Sequence, residues 1–137
     1  MFIVPNNSEA IILQYMLNLK NPENLVMRLY ANDVSPDRTS TEASFVEPGE
    51  GYTPKSLTPN GWMVIAGTPS QAEHQLVTWE FDRALGHIYG YYVTRENGGE
   101  LMWAERFEKQ AFNIKTAGDK IQITPRLTLR NKVENVE

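Results

Sequence analysis

The chain has 137 residues, 41% of them hydrophobic, with 13 Lys and Arg against 17 Asp and Glu for a formal charge of −4. That length fits one domain with a core of its own. The lack of cysteine excludes a disulfide framework and a cysteine-ligated metal, and the acidic balance argues against a role built on neutralising phosphates.

No run approaches the ~18–20 apolar residues of a membrane span. Met1 to Pro5 carries no basic residue and the first positive charge is Lys20, so the start does not read as a signal peptide and an intracellular start is the expectation. Residues 1–7 read as an apolar N-terminal arm, 8–130 as one body and 131–137 as a polar tail.

Pro5-Asn6-Asn7-Ser8 offers cap residues for a first helix. In it Ala10, Ile11, Leu13, Met16 and Leu17 recur at helical spacing, and Asn21-Pro22 is the expected end. A helix this apolar calls for a cover, either the β-body or a neighbouring chain. The period then changes to two at Leu25 to Tyr30, a half-buried strand. Asn32 to Glu50 is rich in Asp, Ser, Thr, Pro and Gly and reads as a long loop with a short pairing at Ala43 to Val46.

Strand-like runs follow at Tyr52 to Leu57, Trp62 to Ala66, Glu73 to Phe81, His87 to Thr94, Leu101 to Phe107 and Phe112 to Ile114. A last run, Lys120 to Leu129, is split at Pro125. Turn chemistry separates them, clearest at Asn97-Gly98-Gly99, a hairpin signal. Many short strands at regular spacing predict an all-β fold, an antiparallel sandwich or jelly roll with one short N-terminal helix. Trp79, Trp103, Phe81 and Phe107 are the expected core aromatics, and Trp62 a packed strand start.

No catalytic set emerges from these residues, and no enzyme activity is expected. The two histidines, His74 and His87, lack a nucleophile signature and read as surface or edge residues. Glu73 with Glu80 and Glu100 with Glu105 fall on opposite strand faces, and the loop acids Glu42, Glu47 and Glu50 read as solvated charge. Asn32, Asp33 and Asp37 offer oxygen ligands, but without EF-hand spacing they read as turn formers, so no metal or other cofactor is expected. Tyr89, Tyr91 and Tyr92 read as core or interface aromatics better than as a nucleic-acid platform, since no basic groove accompanies them. The remaining candidates are contacts to a protein partner: Phe2, Ile3 and Val4 in the arm, Asp33, Asp37 and Phe45 in the loop, and strand edges that another chain can extend.

The order of several segments carries a family resemblance. These are Leu25-Val26-Met27-Arg28-Leu29-Tyr30-Ala31-Asn32-Asp33-Val34-Ser35-Pro36, Gly51-Tyr52-Thr53-Pro54-Lys55-Ser56-Leu57, Ile88-Tyr89-Gly90-Tyr91-Tyr92-Val93, Leu101-Met102-Trp103-Ala104-Glu105-Arg106-Phe107 and Gly118-Asp119-Lys120-Ile121-Gln122-Ile123-Thr124-Pro125. Over residues 8 to 130 the chain resembles small structural proteins of tailed-bacteriophage virions, each piece being weakly specific and their order making the case. The resemblance implies a capsid decoration or cement protein, made in the host cytoplasm and placed on the capsid surface. It further implies the major capsid protein as partner, a homotrimer at threefold positions, and neither nucleic acid nor membrane as ligand. A tail- or fibre-associated module is the alternative within virions. A carbohydrate-binding sandwich using the loop acids and Trp62 is the alternative outside them.

Overall fold

A computed structural model describes residues 2–97 and 99–129. Along the chain run β1 (Phe2–Ile3), α1 (Asn6–Met16), β2 (Leu25–Tyr30), β3 (Lys55–Leu57), β4 (Trp62–Ile65), β5 (Ser70–His74) and β6 (Val77–Glu80). Then come β7 (Gly86–Ile88), β8 (Gly90–Arg95), β9 (Leu101–Arg106), β10 (Phe112–Ile114), β11 (Lys120–Ile123) and β12 (Arg126–Leu129). Every strand pair is antiparallel. The fold is the all-β antiparallel sandwich read from the sequence, with one short helix. One layer is a five-stranded sheet in the order β1-β9-β8-β2-β3, and the remaining strands form the small sheets β10-β7, β11-β6 and β12-β5-β4.

The period of two in β2 sorts its side chains between two covers. Met27 and Leu29 enter the main core, where Met27 lies across from Val93 and Val93 from Trp103. From the small sheets Val77, Trp79, Ile88, Ile114 and Ile121 close that core, and the Trp79 indole N–H donates to the Thr53 carbonyl at 2.9 Å. On the outer face of the same sheet Tyr30 and Tyr92 pack with Phe45 from the long loop. Strand β8 is therefore buried along its whole length, which is why Gly90 to Thr94 reads as a nearly continuous apolar run. Trp79, Trp103 and Phe81 are core as expected, while Phe107 and Trp62 are half-buried against it.

Three expectations are corrected. First, α1 ends at Met16, with Asn18 at φ 56°, before Asn21-Pro22 is reached. Its buried side is Ser8, Ile11 and half of Tyr15, and the Ser8 hydroxyl donates to the Leu101 carbonyl at 2.8 Å. Most of the apolar residues singled out by spacing face outward instead. Second, Glu73 to Phe81 is two strands. Strand β12 pairs with β5 and β11 with β6, so the Pro125 break faces a matching break at Gln75-Leu76. His87 to Thr94 likewise divides at Tyr89, where the chain leaves β10 as partner and enters the large sheet. Third, His74 is buried: it closes β5 just before that break, and its ring packs edge-on to Trp62 at 5.1 Å. His87 is exposed, as expected.

Strands β8 and β9 are antiparallel neighbours, and of the turn residues expected between them Asn97 and Gly99 are described, while Gly98 lies outside the described residues. At the base of that turn the Arg95 guanidinium pairs with Glu100 at 2.6 Å and Glu23 at 3.1 Å, and the side chain is 9% exposed. The expected tail 131–137 lies outside the described residues.

Candidate functional site

The long loop is held by its own polar residues. The Asn32 side chain donates to the Ser44 carbonyl at 3.0 Å and accepts from the Val46 N–H at 2.9 Å. A 3-10 turn, Glu42–Ser44, is closed by reciprocal bonds between Thr41 and Ser44. Asp33 is ion-paired with Arg106 at 2.7 Å, and the Arg106 guanidinium sits 5.2 Å from the Tyr89 ring centre. Asp37 accepts from the Thr39 hydroxyl at 2.7 Å and the Thr39 N–H at 2.8 Å. Those bonds hold its carboxyl below the usual carboxylate range. It is a turn anchor, with its carboxylate at the surface. Phe45 is 6% exposed and stacks on Tyr92 at 4.6 Å, so it ties the loop to the sheet and offers no outward contact. Asp33 and Asp37 are exposed, but Phe45 is not part of the same surface.

The arm is a strand of the domain. Phe2 pairs with Glu105 and Ile3 with Ala104, while Val4 packs against the core. Phe2 is the most exposed of the three and borders a cleft of about 420 Å³ with Tyr91, Glu105, Thr124, Arg126 and Thr128. In it the Tyr91 hydroxyl donates to Glu105 at 3.0 Å, and burial pushes that phenol well above the usual range. Arg126 is held by Glu73 at 2.8 Å on the rim.

Four of the acids weighed as catalysts are bound elsewhere. Glu47 takes Arg28 and the Tyr52 hydroxyl, Glu50 takes Arg83, Glu73 takes Arg126 and Glu100 takes Arg95. None of these contacts involves Trp62. Among the described residues no group of three His, Asp or Glu side chains is placed to hold a metal ion.

No known protein family matches this chain, and neither a curated protein nor a solved structure matches it.

The surface that residue-by-residue motif reading missed is β4. It is an outer strand, paired to β5 on one side and to no other strand among the described residues. Trp62 turns inward, while Met63, Val64 and Ile65 are 65%, 75% and 45% exposed. Leu76 and, at the other edge of that sheet, Leu129 are exposed as well. The signal in the sequence is a gap in charge. From Ser56 to Ala72 there is no Asp, Glu, Lys or Arg, so the edge lacks the charges that normally discourage strand-to-strand association. Chemically, such an edge offers backbone hydrogen bonds flanked by apolar side chains to an incoming segment.

Proposed function

We propose that this chain is a decoration, or cement, protein of a tailed-phage capsid, binding the outside of the assembled head and stabilising it. The observation that carries the reading is the open, uncharged β4 edge with Met63, Val64 and Ile65 exposed. A strand with that chemistry suits docking onto another protein better than chemistry on a small molecule. The resemblance to small virion proteins supplies the kind of partner, the major capsid protein. Exposed Phe2, Asp33 and Asp37 lie on further parts of the surface that such a partner can reach.

The work of such a protein is thermodynamic. A ligand that binds the assembled shell across subunit boundaries, and not the separated subunits, shifts the equilibrium toward the shell. Many symmetric copies make a weak single contact count.

The test is to purify virions carrying the protein, separate heads from tails and count copies by quantitative mass spectrometry. Copies comparable in number to the major capsid protein, all on heads, support the proposal. A few copies travelling with tails move the assignment to a tail module. Absence from both refutes a virion role.

A further inference from the structure

The cleft beside Phe2 is bordered by the outer strand of each layer, β1 and β12. The large sheet contributes Phe2, Tyr91 on β8 and Glu105 on β9. The smaller sheet contributes Arg126 and Thr128 on β12, with Thr124 just before it. Its volume of about 420 Å³ lies within the ~300–1,000 Å³ of small-molecule clefts. Glu105 is half-buried and forms no ion pair among the described residues. The Tyr91 hydroxyl, on a buried side chain, donates to its Oε1 at 3.0 Å, which orients the carboxylate and leaves Oε2 open. Arg126 gives its Nε to Glu73 at 2.8 Å and keeps both terminal amino groups without another hydrogen bond among the described residues. The Thr124 and Thr128 hydroxyls have no hydrogen-bond partner among the described residues either. Phe2 adds an aromatic ring that is 37% exposed.

We propose that this cleft binds a neutral sugar. The open groups select the class. Glu105 Oε2 can only accept, the Arg126 amino groups can only donate, and the two threonine hydroxyls do both. An ammonium ion only donates and would leave Arg126 unanswered. A phosphate or carboxylate mainly accepts and would set its charge beside Glu105. Sugar hydroxyls donate and accept from neighbouring carbons, so one can give its proton to Glu105 while others accept from Arg126 and exchange bonds with Thr124 and Thr128. The Phe2 ring and Ile123 offer an apolar surface to the C–H face of the sugar ring, the mixture of apolar lining and a few placed polar groups that small-molecule sites use. Because buried Tyr91 already holds Glu105, little side-chain freedom is lost there on binding. Neither the loop acids nor Trp62 borders this cleft. The inference does not depend on what the β4 edge binds or on a place in a capsid.

Amide chemical-shift titration of the full chain tests it, using the methyl glycosides of glucose, galactose, mannose and N-acetylglucosamine. Glycine, methylammonium chloride and sodium phosphate are titrated alongside. At least one glycoside should move the amide signals of Phe2, Glu105 and Thr128 along a saturating curve at millimolar concentration. Glu105→Gln should weaken that binding roughly tenfold, and Thr128→Val several-fold. Both variants should keep the parent Tm, since a glutamine still accepts from Tyr91 and Thr128 is exposed. Silence across the glycosides, shifts confined to other surfaces, or binding indifferent to both variants would each overturn the proposal. Tighter binding of glycine or of either ion at this cleft would overturn it as well.

Discussion

Replacing Gly90 by alanine tests the centre of the sandwich. Gly90 opens β8 between β2 and β9, and a Cβ there would run into the Glu105 carbonyl oxygen and lie 2.6 Å from the Tyr30 ring and hydroxyl. Two obstacles of different kind stand in the way. The Tyr30 side chain is fully buried, so moving it gives up its hydroxyl bond to the Val34 carbonyl at 3.2 Å and its packing on Phe45 at 4.8 Å. The carbonyl is backbone, and it moves only if β9 moves. Overpacking alone costs ~1–3 kcal/mol, and the lost hydrogen bond adds about 1 kcal/mol. A total of about 3 kcal/mol corresponds to a fall in Tm of roughly 10 °C for a chain of this size. Calorimetry or near-UV circular dichroism melts read it directly. Gly49→Ala is the control, because nothing lies within 4 Å of its Cβ and the variant should melt with the parent. Tyr30→Phe should not rescue Gly90→Ala, since the carbonyl remains. A Gly90→Ala variant melting within a few degrees of the parent would refute the close approach of β8 and β9.

Ser8→Ala removes the only side-chain bond that α1's buried face makes to β9 among the described residues, leaving the Leu101 carbonyl without it. A loss of ~1–3 kcal/mol is expected, read as a Tm lowered by roughly 4–10 °C. Burial pushes Tyr30 and Tyr92 up to about 12, and Tyr52 and Tyr91 are raised further for the same reason. Unfolded tyrosines ionise near 10, so between about pH 10 and 12 the unfolded chain gives up protons that the folded chain keeps. Stability present below pH 10 is therefore lost as pH climbs through that window. Tyrosinate absorbance should rise together with unfolding, and a smooth titration of all six tyrosines near 10 in the folded chain would contradict the burial. Val64→Lys places a charge on the open β4 edge without touching the core, so thermal stability should hold while co-sedimentation with purified heads falls. Undiminished co-sedimentation would remove β4 from the contact.

The sequence announces what local chemistry controls. Period two in Leu25 to Tyr30, the turn residues Asn97 and Gly99 and the proline at 125 each act over a few positions, and each falls where the reading puts it. What escapes is set by partners distant in the chain. The break at Gln75-Leu76 has no breaker residue of its own. It lies across from Pro125, which lacks an N–H and interrupts the partner strand. The helix misleads for a related reason. Spacing identifies an apolar stripe but not which side meets β9, and a serine takes the buried place because it can satisfy the Leu101 carbonyl. In the long loop, the exposure of Asp33 and Asp37 is legible from their turn chemistry, whereas the burial of Phe45 is not, because a loop aromatic looks the same whether it faces out or closes a small second core. The β4 edge was missed because its mark is an absence of charge over seventeen residues, and no motif describes an absence.

The loop between β2 and β3 has one more consequence. It is long enough to wander, yet Asn32 bridges two of its turns, the Asn6 N–H donates to the Arg38 carbonyl at 3.0 Å, and Arg28 clasps Glu47 at 3.2 Å. Its shape is thus settled at folding. A protein that lands there meets a finished relief and does not have to freeze a moving chain, so the conformational entropy has already been spent before the encounter. Association through this side should show a heat-capacity change proportional to the apolar area covered, without the larger excess that accompanies a segment folding as it binds.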